Sequence, residues 1–323
     1  MKINGSVPSI SMPSADVFTR DFAVPHTPVV IRGAAREWRA SRFWSKDYLA
    51  QTIGVDTPVM TKVSRNRLYP DLYSADSSGA PTEMRFGDYI DLIWSDNPER
   101  STRYITGDEV VLALGGQSER HTFSPLLEDV SLPPLFEPRR LEMTAFWLGA
   151  AGVIAPLHFD SAGCHNLNAQ VKGSKRFLLF SPDQQLHLFS GIEHPLARFT
   201  NFSQINVEDP DESRFPEWRS AQAVEAILEE GDMLFVPALW YHAVYSVGSV
   251  NMNVNFWWRP EHARTSGNAF RQEFLKTLYE SLLDGKPVRD TKDIETVQAA
   301  IRNLPEGTRQ LLRRMERQVF SSN

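Results

Sequence analysis

NLNAQVKGSKRFLLF, residues 166–180, alternates polar and apolar side chains, which is typical of β-strands with one polar and one apolar face. A tight turn at KGSK, residues 172–175, would make the segment a β-hairpin. One face of this hairpin carries Asn166, Asn168, Gln170 and Lys175. The other face carries Leu167, Ala169, Val171 and Arg176.

SVNMNVNFWW, residues 249–258, repeats this alternation further along the chain. One face carries Asn251, Asn253, Asn255 and Trp257, and the opposite face carries Met252, Val254, Phe256 and Trp258. Asparagine side chains inside a protein need hydrogen-bond partners. Two hypotheses fit the pattern: the amides line the hydrated interior of a barrel, or they face solvent on an open sheet.

Short β-prone runs, separated by Gly, Pro, Asn and Asp, continue on both sides of these segments. Many short strands with such punctuation favour a sandwich or barrel over βαβ units. The chain before them reads as mixed α/β, with a strand at 27–34 and a helix at 45–54 that has Ser45 as its N-cap. A second helix at 86–94 and a strand at 101–106 follow.

The proline-rich segment 131–140 marks a boundary, and the chain after Pro260 has helical periodicity. We therefore predict a mainly β fold with flanking helices, in three regions: mixed α/β elements at 1–140, the core at 141–260, and a helical region at 261–323. The last region carries an apolar stripe formed by Phe270, Phe274, Leu275, Leu278, Tyr279, Leu282 and Leu283. This stripe fits either packing onto the barrel or homodimerisation.

Composition limits the class of protein. The 323 residues are 41% hydrophobic, which is ordinary for a soluble globular chain. The single cysteine excludes an internal disulfide framework and a multi-cysteine zinc site, so we expect a reducing, cytoplasmic location. No apolar run reaches membrane-spanning length, and we expect no membrane partner. The net charge of −6 gives no long-range attraction to phosphate backbones.

HFDSAGCH, residues 158–165, concentrates possible metal ligands. If IAPLHFD is a strand, period-two alternation places His158 and Asp160 on one face and Leu157 and Phe159 on the other. Two histidines and one carboxylate form the facial triad that holds Fe(II) and leaves open positions for other ligands. The pattern therefore predicts half of such a triad, and the missing ligand is a histidine on another strand.

His242 is the preferred third ligand, because GDMLFVPALWYHAVYSV places it on a strand that follows a Gly-Asp turn and an apolar strand. Other histidines fall in less regular or more distant segments: His26, His121, His187, His194 and His262. Cys164 and His165 are not expected to be ligands. We expect both to flank the mouth of the metal pocket.

HFD, NLNAQVKGSKRFLLFSP, GDMLFVPALWYH and NVNFWW occur here in an order that resembles the JmjC-type, cupin-fold 2-oxoglutarate oxygenases. Within that family the chain is most similar to the small hydroxylase branch, which includes a protein asparaginyl hydroxylase and a tRNA wybutosine hydroxylase. The resemblance covers about residues 141–259. It implies a double-stranded β-helix (cupin, jelly-roll) core with iron held by His158, Asp160 and His242, and 2-oxoglutarate and O2 as co-substrates.

The resemblance also assigns the co-substrate residues. It implies that Lys175 pairs with the distal carboxylate of 2-oxoglutarate and that Tyr104 supplies a hydroxyl to the same group. Asn166 and Asn255 occupy positions that line the co-substrate and the iron. Ala155 departs from the pattern, since the asparaginyl hydroxylase has a threonine hydroxyl there, and Tyr104 is then expected to carry more of the binding.

The implied activity is hydroxylation with release of succinate and CO2. Three hypotheses for the function of the protein remain. A protein or peptide side chain is the favoured substrate, since an acidic chain suits basic peptides. A modified tRNA base or a small metabolite is the second, and the arginines of the last predicted helix could contact phosphates: Arg309, Arg313, Arg314 and Arg317. The third is a metal-binding cupin that acts as a sensor without catalysis, although a buried Lys175 argues for an anionic co-substrate.

Overall fold

The computed structural model describes residues 1–69, 81–106, 111–114, 122–160, 164–184, 202–203, 205–258, 260 and 302. Met1–Phe189 and Ser203–Arg259 form one compact unit, and every residue of the site described below belongs to it. A second unit comprises Ser190–Phe202 and Pro260–Asn323, of which only three residues are described. The predicted C-terminal helices and their apolar stripe therefore lie outside the described residues.

The N-terminal part combines short helices with short strands, as predicted. Its strands are β1 (Lys2–Ser6), β2 (Ser9–Ile10), β3 (Val29–Ile31), β4 (Pro58–Val63), β5 (Thr82–Arg85), β6 (Arg103–Ile105) and β7 (Val111–Leu114). Its α-helices are α1 (Ala15–Phe18), α2 (Arg39–Phe43), α3 (Lys46–Ile53) and α4 (Phe86–Trp94). A π-helical turn at Thr19–Ala23 follows α1, and 3-10 turns occupy Pro98–Thr102, Ser124–Asp129 and Pro138–Arg140.

Two of these helices begin and end where the sequence predicts. The Ser45 hydroxyl accepts a hydrogen bond from the Tyr48 backbone N–H, which caps α3 at its first turn. Helix α4 buries Phe86, Tyr89 and Ile90 completely against the sheet. The Tyr89 hydroxyl donates to the Leu148 carbonyl and accepts from the Ile105 N–H at 3.1 Å, so α4 fixes β6 in place.

The central part contains the longest strands. They are β8 (Leu141–Ala150), β9 (Ile154–His158), β10 (His165–Phe180), β11 (Gln222–Leu228), β12 (Met233–Val236) and β13 (Tyr241–Trp258). Short 3-10 turns lie at Pro182–Gln184 and Pro216–Ser220. Antiparallel pairing of β10 with β13 runs the whole length of both strands, from the His165–Trp258 pair to the Phe180–Tyr241 pair.

Strand β13 is the centre of the sheet. Its first half pairs with β9, its second half pairs with β8, and β10 lies along its other edge. Strand β10 pairs in turn with β11 and β12. The N-terminal strands extend this network, since β1 adds to β11, β3 to β12 and β6 to β8. The predicted class, a mainly β core with flanking helices, is confirmed.

The predicted hairpin at KGSK is wrong, because β10 passes through this segment as one strand. The pairing with β13 instead shifts register at Lys172 and again before Ser174. Gly173 has a φ of +71°, and a Cβ added there would lie 2.4 Å from the Val250 carbonyl oxygen. An irregularity of this kind changes which face later residues occupy. Lys175 consequently lies on the same face as Asn166, as predicted.

The asparagine-rich face is internal, so the alternative in which it faces solvent is wrong. Asn251, Asn253 and Asn255 are each no more than 4% exposed. The opposite face of β13 packs into the main hydrophobic core through Met252, Val254, Phe256 and Trp258.

Strands β10 and β13 form a ribbon that curves back on itself. His242 pairs with Leu179 near one end of the ribbon, and Asn166 pairs with Trp257 near the other. Both His242 and Asn166 nevertheless lie close to Asp160. The inward faces of the two halves of the ribbon therefore face each other across a common interior, as in a jelly-roll barrel.

The predicted boundaries at residues 140 and 260 stay predictions. Strands from both sides of residue 140 share the sheet, as the pairing of β3 with β12 shows. Among the described residues, no helix combines the length and the apolar composition that crossing a membrane requires.

Candidate metal centre and anion pocket

Three side chains predicted as metal ligands lie together in the structure. His158 ends β9, His242 is near the start of β13, and the two are directly paired across these neighbouring strands. Asp160 follows β9, and its Oδ1 lies 3.9 Å from His158 Nε2 and 3.8 Å from His242 Nε2. One ligand atom from each residue can be chosen so that all three atoms lie within 4.8 Å of one another.

Both imidazoles are oriented by backbone carbonyl groups. His158 Nδ1 lies 2.7 Å from the Pro156 carbonyl oxygen, and His242 Nδ1 lies 3.0 Å from the Trp240 carbonyl oxygen. Because a carbonyl oxygen only accepts, each Nδ1 carries the proton and each Nε2 presents its lone pair. Metal-binding histidines commonly have this arrangement, which fixes the tautomer and the direction of the ring.

The Asp160 carboxylate is oriented by an amide. The Asn166 Nδ2 donates to Asp160 Oδ2 at 2.7 Å, and this leaves Oδ1 directed at the two imidazoles. Two imidazole nitrogens and one carboxylate oxygen form the donor set that suits non-haem Fe(II). The chemistry of the three residues therefore fits the predicted iron.

The three residues border a pocket of about 480 Å³, a volume that includes its open mouth. All seven residues predicted for the site line this pocket: Tyr104, His158, Asp160, Asn166, Lys175, His242 and Asn255. His158 and Asp160 have side chains that are 15% and 14% exposed, so these two ligands lie towards the mouth, whereas the His242 side chain is 4% exposed.

Lys175 lies at the closed end of the pocket. The residue is 4% exposed, and its Nζ donates to Asn253 Oδ1. Burial lowers the pKa of Lys175 from 10.5 to about 7. Among the described residues that line the pocket, the one carboxylate is Asp160, which faces the histidines. A buried ammonium with this surrounding suits an anionic ligand.

Tyr104 also lies at this end, where it is 3% exposed. Its ring contacts Tyr69 edge to face, with centroids 5.4 Å apart, and it packs near Trp147. Gly149 lies opposite Tyr104 in the pairing of β6 with β8. A Cβ at Gly149 would lie 2.5 Å from Tyr104 Cδ2, so the absence of a side chain at Gly149 sets the position of the phenol.

Gly149→Ala is expected to displace the Tyr104 ring, because the added methyl group overlaps it. Overpacking of this kind costs about 1–3 kcal/mol of stability. Thermal unfolding measures this cost, and titration of the anion site with 2-oxoglutarate measures the effect of the displaced hydroxyl. In a Tyr104→Ala background the same substitution should cost much less stability, since the overlap is gone. Equal costs in both backgrounds would contradict this explanation.

Several residues that line the pocket had no predicted role, among them Asn168, Asn253 and Trp147. The alternation of polar residues does place Asn168 and Asn253 on the inward faces, but no pattern marked Trp147. Trp147 Nε1 and Asn168 Oδ1 are buried and have no hydrogen-bond partner within the described part of the chain. Buried polar atoms of this kind are expected to bind a ligand or an ordered water.

His165 is not at the pocket mouth, which corrects the expectation for that residue. It lies on the opposite face of β10 from Asn166, is 2% exposed, and accepts from the Ala238 N–H at 3.0 Å. Burial, aided by the charge of nearby His26, lowers the pKa of His165 to about 3. Cys164 is buried in a small cluster with Ala145 and Trp257, the latter of which lines the pocket.

Among the described residues, no other histidine considered as a ligand joins the His158–Asp160–His242 cluster. His26 contacts the ring of His165 edge to face, with centroids 5.1 Å apart. His121, His187, His194 and His262 lie outside the described residues.

Residues 14–264 match the family model described as a cupin-like domain. The match covers more than half of the chain, and the chain therefore belongs to the cupin-like domain family. The predicted membership in the JmjC-type, cupin-fold family is confirmed at the level of the family.

The relatives include proteins of two kinds. Lysine-specific demethylase 8 of Danio rerio is 32% identical over 261 residues, and that of Xenopus tropicalis is 29% identical over 265 residues. tRNA wybutosine-synthesizing protein 5 of Gallus gallus is 30% identical over 261 residues. Each alignment covers 78% of this chain, but 58%, 53% and 76% of the respective relatives. The chain thus spans little more than half of the length of the two demethylases.

Proposed function

We propose that this protein is an Fe(II)- and 2-oxoglutarate-dependent dioxygenase that hydroxylates a protein or peptide side chain. The observation that carries the proposal is one pocket with a His-Asp-His cluster towards its mouth and a buried lysine at its closed end. The first group suits a metal with open positions, and the second suits a carboxylate. A molecule with a chelating end and a carboxylate end would occupy both.

Each residue then has a defined task. His158, Asp160 and His242 would hold Fe(II) through the two Nε2 atoms and Oδ1. The Lys175 ammonium and the Tyr104 hydroxyl would bind the distal carboxylate of 2-oxoglutarate. When bound, Fe(II) with O2 and 2-oxoglutarate supplies the oxidation that converts a substrate C–H bond to C–OH, with succinate and CO2 as the other products.

The pocket walls support the proposal by excluding water from the anion end. Tyr104, Lys175 and Asn253 are each less than 5% exposed, whereas the side chains of His158 and Asp160 are 15% and 14% exposed. A charge interaction between ammonium and carboxylate is stronger in such a poorly hydrated place than at a surface. The substrate would approach the more open end, where the side chains of His158 and Asp160 are exposed.

A polypeptide substrate is favoured by two features. The relatives include proteins named lysine-specific demethylases, and the net charge of −6 suits basic peptides. We propose hydroxylation rather than demethylation, because the sequence resembles the hydroxylase branch. The single cysteine supports a cytoplasmic location, and the predicted apolar stripe in 261–323 supports a homodimer, which light scattering on the full chain measures.

A modified tRNA base is the second candidate substrate. The tRNA wybutosine-synthesizing relative is matched over 76% of its length, more than the demethylases are. Arg65 and Arg67 are exposed beside the pocket wall, where the Arg67 carbonyl accepts from the Ile154 N–H at 2.9 Å. Neither arginine has an ion-pair partner among the described residues. Phosphate contacts through them would make tRNA binding steeply salt-dependent.

The proposal is tested by incubating the iron-loaded protein with 2-oxoglutarate and, separately, cellular peptide and tRNA pools. Succinate formation coupled to the gain of one oxygen atom in a peptide, measured by mass spectrometry, is the expected result. Gain of oxygen in tRNA alone would select the second candidate. If iron binds and no succinate forms in either pool, the non-catalytic metal sensor replaces both.

A further inference from the structure

A continuous path of hydrogen bonds joins the anion end of the pocket to the metal end. Lys175 Nζ donates to Asn253 Oδ1, and Asn253 Nδ2 donates to Asn255 Oδ1. Asn255 Nδ2 donates to Asn166 Oδ1 at 3.1 Å. Asn166 Nδ2 then donates to Asp160 Oδ2 at 2.7 Å. Three asparagine side chains therefore link an ammonium group to a carboxylate group, one after another in space.

The two charged ends fix the direction of every bond in the path. A lysine ammonium can only donate, so Asn253 must turn its oxygen towards Lys175 and its nitrogen away. An ionised carboxylate can only accept, so Asn166 must turn its nitrogen towards Asp160 and its oxygen away. Asn255, between them, accepts from Asn253 and donates to Asn166, which agrees with both ends. No amide in the path has to be reversed.

Burial makes this path rigid and costly to break. The three asparagines are between 1% and 4% exposed, so water cannot replace a lost amide partner easily. Asn168 Nδ2 also donates to Asn255 Oδ1 at 3.1 Å, which holds the middle residue from a second side. Chains of aligned hydrogen bonds polarise one another in a poorly hydrated interior.

The path determines which oxygen of Asp160 is available to a metal. Oδ2 is occupied by the Asn166 amide, and Oδ1 is the atom directed at both imidazoles. The Asn166 oxygen accepts from Asn255, and the Asn255 oxygen accepts in turn from both Asn253 and Asn168. Loss of the Asn253 amide, three hydrogen bonds away from Asp160, should therefore disturb the carboxylate.

We propose that Asn253 is a positioning residue for Asp160, and that the Asn253–Asn255–Asn166 path couples anion binding at Lys175 to metal binding at the triad. The identities of metal and anion rest on the proposed function. Coupling between two sites is reciprocal, so an anion at Lys175 strengthens metal binding by the same factor by which the metal strengthens anion binding. Glutarate serves as the probe anion, because it has both carboxylates of 2-oxoglutarate and lacks the keto group that chelates a metal.

The test is a titration of the full-length protein with Co2+, followed by its visible absorption, with and without glutarate. Asn253→Leu should weaken Co2+ binding roughly 10-fold, the lower end of the range for residues that support metal ligands. Glutarate should tighten Co2+ binding about fivefold or more in the unmodified protein. This gain should disappear in Asn253→Leu and in Lys175→Met, and the Co2+ spectrum of Asn253→Leu should change with the ligand geometry.

Asn251→Leu is the matched control. Asn251 has the same side chain, lies on the same face of β13 and is 1% exposed, but its partners are Gln170 and the Val247 carbonyl. The Asn251→Leu variant should bind Co2+ with an affinity within about twofold of that of the unmodified protein, and glutarate should still tighten this binding. If Asn253→Leu does not fold, Asn253→Ser and Asn251→Ser give the same comparison, since serine cannot span from Lys175 to Asn255.

The outcomes separate this proposal from the function on which it rests. If the unmodified protein binds no Co2+ that depends on Asp160, the proposed metal site fails. If Co2+ binds through Asp160 and the Asn253 variant behaves like the Asn251 variant, the coupling path fails and the metal site stands. Equal losses in both variants would show general loosening of the interior, which also overturns the path.

Discussion

Asp160→Ala is expected to abolish succinate formation while the protein stays folded. The substitution removes the one carboxylate of the His158–Asp160–His242 cluster, whose Oδ1 lies within 4 Å of both imidazoles. Residues that only orient a ligand usually change metal affinity about 10- to 100-fold, and loss of a ligand itself should exceed that range. Turnover with 2-oxoglutarate and titration with Fe(II) under anaerobic conditions measure the two effects.

The fold should survive because Asp160 follows β9 and contributes no strand pairing. Its loss leaves the Asn166 amide without one acceptor, which costs about 1–3 kcal/mol. Circular dichroism should therefore be unchanged at 25 °C. Asp96→Ala is the control, since Asp96 is exposed and outside the pocket, and it should behave as the unmodified protein does. Iron-dependent oxidation that persists in Asp160→Ala would refute the triad.

Lys175→Met is expected to raise the KM for 2-oxoglutarate and to leave metal binding in place. The substitution keeps the length and apolar stem of the side chain and removes its charge. A hydrogen bond to a charged group contributes about 1.5–3 kcal/mol, which corresponds to roughly a 10- to 150-fold increase in KM. Steady-state succinate formation measures this change. An unchanged KM would mean that Lys175 does not bind the co-substrate.

The same lysine predicts a pH dependence. Because burial lowers its pKa to about 7, the ammonium form is lost as pH rises above that value. The kcat/KM for 2-oxoglutarate should then fall above pH 7, and Lys175→Met should not show this fall. The other titratable groups that line the pocket among the described residues are Tyr104 and the triad. Lys172→Met is a matched control, because Lys172 is exposed and pairs with Glu230.

Protein stability should change in the opposite direction over this range. Between pH 7 and 10.5 the unfolded lysine binds a proton that the buried Lys175 does not. The free energy of unfolding rises with pH wherever the unfolded state binds more protons. The contribution of Lys175 to this free energy therefore increases from pH 7 to 10.5 and is lost as pH falls to 7. Chemical denaturation measured across this pH range should show the increase for the unmodified protein and not for Lys175→Met.

Local patterns in the sequence predicted most of the metal site. Alternation placed His158 and Asp160 on one side and Leu157 on the other, and Leu157 is fully buried in a separate apolar cluster. The position of His242 followed from the Gly-Asp turn and the apolar strand before it. The roles of Lys175 and Tyr104 came from family resemblance, because a lone lysine on a strand carries no local signal for an anion site.

Long-range pairing explains what the sequence could not predict. KGSK has the composition of a tight turn, and only its pairing with β13 on both sides of Gly173 makes β10 a single strand. His165 is the last residue of HFDSAGCH, but it is also the first residue of β10, and its position on that strand directs its side chain into the core. Two of the four hydrogen bonds in the asparagine path join residues 78 and 89 positions apart, which no local pattern reports.

The curved ribbon of β10 and β13 has a consequence for how such a protein can diversify. His242 and Lys175 lie on one half of the ribbon, and Asn166, Asn253 and Asn255 lie on the other half. The bend between the halves contains Gly173 and Gly248, both with positive φ. Insertions or deletions at this bend would move the three asparagines relative to His242 and Lys175, while these two residues keep their own separation. The amide wall of the pocket could therefore vary between related proteins while the spacing between the metal-binding histidine and the buried lysine stays constant.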